Sequence, residues 1–471
     1  MGLPPGGPGN PSCHASREPP ITSYEPLNEP IPDEWESQQA GRGGRSSVVL
    51  ILGATVISGL AGYVVTWRVF TEVGAAGYGV FSVFWSALFL VVGILFGLQQ
   101  ESTRAVAQNL VAGHGREADE GAGRIGRGTS LWAFAGLLAV VVVVVVLGTS
   151  VLWAAPSLGP DNAGLAWFVA VGAGLNCLVA AASGVMAGAG MWRQLAGIVA
   201  LDGVLRVAGV LAVLSVTHDL VALAVAVILP FPVSLAIVFL TAPRALIARA
   251  RVQLGFSRLV ANTGRTMLAA SATAVLINGF PLVLSFFSGP ANHADLGSLV
   301  LAVTLTRAPI LVPLMALSSF LVSQFAHHPE RMPRTMGTLI GGIAVVIAVL
   351  CLAAWLWGVT VMQFVFGAQF DLGAGVLVGL IASSGLIGAL CVSGSAVLAR
   401  GLHGGYAVGW VAASLVSLAV LFLPIELPAR AALALAAGPA VGLAVHLFWL
   451  RSVSSARGAE AAPASSSPGT L

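Results

Sequence analysis

Four ionisable side chains lie inside or at the rim of long apolar runs: Arg68, Asp202, Arg206 and Arg307. A charge at the bilayer centre costs about 2.5–3.5 kcal/mol on insertion scales unless it meets a partner or a wet cavity, so each of these needs a reason. Guanidinium binds phosphate in a planar bidentate fork, and three arginines at membrane depth would be reconciled by an anionic ligand. Asp202 and Arg206 are four residues apart on one helix face, so they can also simply pair. Arg68 closes the run that begins at Val48, and there it either snorkels to the outer surface or faces a cavity. Arg307 has no acid near it in sequence. Pro309 and Pro313 follow it and predict a bent helix, which makes Arg307 the leading candidate for a cavity-facing cation.

Asn278 is a further candidate for the cavity lining, although small polar residues in membrane helices usually make helix contacts. Glu101 and Arg104 stand three apart at the inner end of the second apolar run, where they form either a local ion pair or a gate contact. For coupling, Asp202 could exchange a proton or a sodium ion, or the membrane potential could act directly on an anionic substrate. No Walker, GxSxG or HExxH pattern occurs, which removes support for ATP hydrolysis and metal catalysis, and no cofactor is expected. The four cysteines and eight histidines are scattered and suggest neither a disulfide framework nor a metal site.

The elements that must position these residues follow from composition. With 57% apolar and 9% charged residues among 471, and a mean hydropathy of +0.92, the chain reads as an all-α integral membrane protein. Taking about 20 apolar residues per span predicts twelve spans, near 48–70, 79–99, 131–153, 163–187, 196–215, 220–241, 266–287, 297–324, 337–358, 374–398, 404–423 and 430–450. Residues 1–46 and 451–471 read as disordered tails. Alternating the loops puts 18 of the 22 basic residues, all arginine, on the side of the termini, with only Arg430 opposite. By the positive-inside rule both termini are cytoplasmic, in a bacterial plasma membrane, and the span count is even.

The chain also looks repeated. An offset of 220 residues sets Ile57 on Ile277 and Gly77 on Gly297. The predicted organisation is therefore two six-helix halves, 47–241 and 266–450, joined by a basic linker at 242–265. Halves inserted the same way round would share an axis along the membrane normal, with a central cavity between them.

The stretch from Ser58 to Ala107, with its Gly-rich first helix, Arg68 near the outer end, the turn VGAAGYGVFS and Gln100, Glu101 and Arg104 closing the second helix, resembles the opening of polysaccharide-export (Wzx-like) flippases of the multidrug/oligosaccharidyl-lipid/polysaccharide exporter superfamily. The resemblance implies a V-shaped pair of six-helix bundles that moves polyprenyl-pyrophosphate-linked oligosaccharide from the inner to the outer leaflet by alternating access, through a cavity that is often cationic. Arg68 matches the family's position; Arg206 and Arg307 match only the expectation of a cationic cavity. It further implies a monomer that meets membrane lipids and a lipid-linked anionic oligosaccharide, not nucleic acid, while the N-terminal tail could recruit polysaccharide-assembly proteins. Three other readings stay open: a cation-coupled drug exporter of the same superfamily, a membrane glycosyltransferase or polymerase, and a scaffold. Enzymes of this kind usually carry acids or histidines on substantial outer loops, and here the outer loops are short.

Overall fold

Helix-forming and apolar residues continue with little interruption from Gly43 to Arg116, and the computed structural model folds them as one 74-residue helix, α1. A straight helix of that length would run about 110 Å, far beyond a hydrocarbon core of about 30 Å. It therefore has to turn back. The turn is Gly74, whose φ of 78° and ψ of 172° no side chain tolerates well. The expected outer loop at 73–82 is otherwise helical, so spans one and two are two arms of α1 hinged at a single glycine.

The structure describes residues 2, 43–116, 128–241, 243–288, 293–368, 370 and 372–460. The expected disordered tails lie mostly outside these. Their described parts, 43–46 and 451–460, are helical. The further elements are β1 (Thr129–Ser130), α2 (Leu131–Leu158), α3 (Leu165–Gly188), α4 (Trp192–Leu214), α5 (Leu220–Ile228), α6 (Pro230–Thr241), α7 (Pro243–Arg249), β2 (Arg251–Val252), α8 (Phe256–Ile277), α9 (Phe280–Ser288), α10 (His293–His327), α11 (Met332–Ala353), α12 (Val359–Phe366), α13 (Ala374–Ala399), α14 (His403–Val420) and α15 (Leu427–Glu460). Ten helical stretches are long and apolar enough to cross a membrane, and the bent pair α8/α9 makes an eleventh. Because the first of these holds both arms of α1, the predicted twelve spans are all present.

Three elements differ from expectation. The seventh span is broken: α8 and α9 meet at 54°. Pro281 has no N–H to give Ile277, and its ring collides with that carbonyl, so a straight helix cannot form there. Pro230 divides the sixth span into α5 and α6 in the same way. The linker is shorter than predicted, because residues 256–265 already form the first turns of α8. What remains is pinned: Arg251 and Val252 pair antiparallel with Ser130 and Thr129, and the Asn109 amide donates to Arg251 O at 3.0 Å and accepts from Gln253 N at 3.3 Å.

α2, α3, α4, α5 and α6 pack among themselves, as do α10, α11, α13, α14 and α15. The peripheral helices turn apolar side chains outward, among them Val144 and Val151 on α2 and Val345, Val349 and Leu352 on α11. That inside-out surface suits hydrocarbon as solvent. The second arm of α1 runs antiparallel to α8 and α9 from Ser86, opposite Asn278 and Leu282, to Glu101, opposite Asn262, and this seam joins the two groups of helices.

Candidate functional site

A helix broken inside a membrane exposes backbone groups that no water can satisfy, so neighbouring side chains must. At the α8/α9 break, the N–H groups of Asn278 and Gly279 both donate to Ala274 O, at 2.8 and 2.9 Å. Leu282 N–H, which a regular helix would send to Asn278 O, donates instead to Ser86 Oγ at 3.1 Å. The Ser86 hydroxyl in turn donates to Asn278 O at 2.5 Å. Arg307, 5% exposed, reaches the same break from α10 and donates from Nη2 to Leu276 O at 3.0 Å. Under the 220-residue offset Arg307 corresponds to Ala87, the neighbour of Ser86. The two side chains that hold the break thus come from nearly equivalent places in the two halves.

The three arginines do not converge. Both Asp202 oxygens accept from Arg206 Nη2, at 2.8 and 2.7 Å. The Arg206 guanidinium also lies 5.6, 5.0 and 5.4 Å from the ring centroids of Trp85, Phe89 and Phe231, and its Nε donates to Val227 O at 3.3 Å. Of the two readings left open for this pair, the ion pair is the one found. Arg206 is enclosed as a cross-link between α1, α4, α5 and α6, and it does not face an open cavity. Arg68 pairs with Glu72 at 2.6 Å, both side chains about one-third exposed, and lies over the Trp67 ring. Glu72 also has His218 Nε2 at 3.7 Å. Among the three, Arg307 alone has no carboxylate among its described partners.

Both ends of the seam are tightly packed. A Cβ on Gly79 would strike His293 O, and one on Gly297 would strike Ala75 O. The second arm of α1 and α10 therefore cross backbone to backbone around Gly79 and Gly297. Tyr78 is buried there, edge-on to the Phe70 ring at 5.4 Å. At the other end, Gly97 lets the arm close on Thr266 and Met267, and Thr266 Oγ donates to Gly97 O at 2.8 Å. Glu101, 2% exposed, accepts from Arg104 at 2.7 and 2.9 Å and from Asn262 Nδ2 at 3.1 Å. The local ion pair and a contact across the seam are thus present together.

A cavity of 580 Å³ opens along α8 and α14, lined by apolar side chains such as Ala272, Leu276, Phe280, Val411 and Leu418, with Arg265 at one end. Leu276 is the residue whose carbonyl Arg307 holds. Arg307, expected to face a cavity, is not among its lining residues, and neither are Arg68, Arg206, Asp202 and Asn278. Sequence reasoning missed Ser86, Asn262 and His446. Ser86 could have been found by carrying Arg307 back through the repeat offset, and His446 by its place as an ionisable residue inside the span at 430–450; Asn262 leaves no local signal.

The chain is 32% identical to the uncharacterized protein Mb3654 of Mycobacterium bovis over 407 residues, 86% of this chain and 92% of that one. It is 31% identical to the uncharacterized protein Rv1510 of Mycobacterium tuberculosis over 411 residues, 86% and 91%. The chain belongs to the family of these mycobacterial proteins. No protein-family model matches the chain. Among solved structures, this family member superposes on an inward-facing multidrug resistance MATE family transporter of the MOP superfamily with a TM-score of 0.67 at 13% identity, covering 88% of this chain and 100% of that one. The lipid II flippase MurJ, in an inward closed conformation, gives 0.61 at 13% identity over 86% and 87%. A MOP superfamily transporter from Pyrococcus furiosus gives 0.60 at 14% identity over 87% and 96%. The fold is that of the MOP superfamily transporters.

Proposed function

We propose that the protein is a membrane transporter, a flippase that carries polyprenyl-pyrophosphate-linked oligosaccharide from the inner to the outer leaflet for cell-surface polysaccharide assembly. One observation carries the reading: a buried arginine without a described carboxylate partner, Arg307, meets a broken helix on the seam between two packed groups of helices. Such a site suits an anion, because a fixed guanidinium with several donors binds phosphate oxygens. Alternating access then requires 47–241 and 266–450 to move as halves about the Gly79/Gly297 crossing at one end and the Glu101/Asn262 bond at the other. The reading places both termini in the bacterial cytoplasm and the lipid-linked sugar between the halves. It leaves Arg206 to tie α4 to α1, α5 and α6 through Val227 O and three aromatic rings, and Arg68 paired with Glu72 on its own helix. It also allows the N-terminal tail to recruit polysaccharide-assembly proteins.

The test is translocation of a fluorescent polyprenyl-pyrophosphate oligosaccharide in proteoliposomes. Protein-dependent flux that is lost in Arg307→Ala, with Arg307→Lys still folded, supports the reading. Normal flux in Arg307→Ala removes the site, and no flux from folded wild type removes the substrate class. The second reading, a cation-coupled small-molecule exporter, draws on the likeness to the multidrug transporter; efflux of dyes with no movement of lipid-linked sugar would establish it.

A further inference from the structure

His446 of α15 is fully buried, at 0% exposure, and an ionisable residue inside a membrane span is a functional candidate by default. Room has been made for its ring. A Cβ on Gly409 of α14 would overlap the imidazole, and one on Gly394 of α13 would lie 3.5 Å from it. Its Nδ1 is 3.0 Å from Ser393 Oγ, and its Nε2 is 3.3 Å from Tyr406 O. The Tyr406 ring stacks on it at 6.0 Å with 10° between the planes.

The donors and acceptors can be counted. A carbonyl only accepts, so Nε2 carries a proton toward Tyr406 O. Ser393 Oγ also lies 3.0 Å from Leu390 O. When its hydroxyl points to that carbonyl, Ser393 offers His446 only an acceptor, and Nδ1 must donate as well, as in the imidazolium. When the hydroxyl turns to Nδ1, the neutral ring is satisfied. One hydroxyl rotation thus accommodates both charge states with no heavy atom moved. The charged form gains the Tyr406 π face and two oxygen acceptors, the surroundings of a cation.

We propose that His446 is a proton-binding site, and that its protonation is passed through α14 to the broken helix. α14 supplies Tyr406 O to the imidazole, and its Ser414 Oγ donates to Ala272 O of α8 at 2.9 Å, one turn before Leu276, which Arg307 holds. Ser393, His446 and Ser414 therefore link α13, α15 and α14 to α8. The titratable groups facing this cluster are Tyr406 itself on α14 and Cys391 on α13, two residues before Ser393. No carboxylate, lysine or arginine is among the described contacts of the imidazole. Asp202, the coupling group the sequence offered, has both oxygens taken by Arg206.

Magic-angle-spinning NMR of the full chain in lipid, labelled with ¹⁵N-histidine, tests the site, with the His446 signals assigned by their loss in His446→Gln. The expected result is conversion from the Nε2–H tautomer to imidazolium between pH 8 and pH 5. Over the same range, amide protection around Leu276 and Leu282 should change by at least tenfold in wild type, after correction for intrinsic exchange, and stay flat in His446→Gln. A ring that remains neutral at pH 5 makes His446 a core histidine and overturns the proposal, as does a pH response of the break that survives in His446→Gln. If that variant does not fold, Ser393→Ala serves: it should displace the titration midpoint of the same signals, and an unchanged midpoint overturns the hydrogen-bond argument.

Discussion

Ser86→Ala should unfasten the broken helix. The hydroxyl makes two bonds there, donating to Asn278 O and accepting from Leu282 N–H. Deleting it leaves one carbonyl and one N–H facing protein and lipid. Each orphaned buried group costs about 1–3 kcal/mol, and since both bonds are only part-buried the lower half of the range applies, about 2–4 kcal/mol together. The pair cannot simply bond to each other, because Pro281 holds the segment out of helical register. In local terms 2–4 kcal/mol is roughly a 30- to 700-fold rise in opening, to be read as faster hydrogen exchange at Leu282 in lipid nanodiscs. Ser86→Thr, which keeps the hydroxyl, should exchange within a few fold of wild type. If Ser86→Ala leaves the Leu282 amide as protected as before, the segment closes its own bond and Ser86 is not what holds the break.

Two other perturbations test the packing on either side of that break. Asp202→Asn strips the counter-charge from a guanidinium enclosed by three aromatic rings and should cost about 3–5 kcal/mol, whereas the double replacement Asp202→Leu with Arg206→Met should cost much less; thermal unfolding in detergent compares them. Gly297→Val puts two methyl groups into the backbone of Ala75 and should destabilise by about 1–3 kcal/mol. Because the clash is at the crossing, cysteine cross-linking across it should fall as well, and unchanged cross-linking would show that the crossing has slack.

Composition and periodicity were enough for the class of the protein. The twelve apolar segments were legible because each must cross about 30 Å of hydrocarbon by itself, so its length and apolarity are written in consecutive residues. The pairing of Asp202 with Arg206 was legible for a related reason: a four-residue spacing fixes a shared helix face whatever the rest of the chain does. The 220-residue offset sets Gly77 on Gly297, but the glycine that Gly297 meets at the crossing is Gly79. Pro281 could also have announced the break in the seventh span, but it was read through as part of an apolar run.

What stayed hidden depends on contacts far apart in sequence. Ser86 meets Asn278 across 192 residues, Glu101 meets Asn262 across 161, and Ser393 meets His446 across 53. Glu101 and His446 stand out as ionisable residues, but the partner of each, like that of Ser86, is decided only when another helix presents a carbonyl, an amide or a hydroxyl. Arg307 is the clearest case. Its charge and position in the sequence marked it as costly in a membrane, but only the tertiary structure decided where that charge is spent, on the Leu276 carbonyl beside the break in another helix.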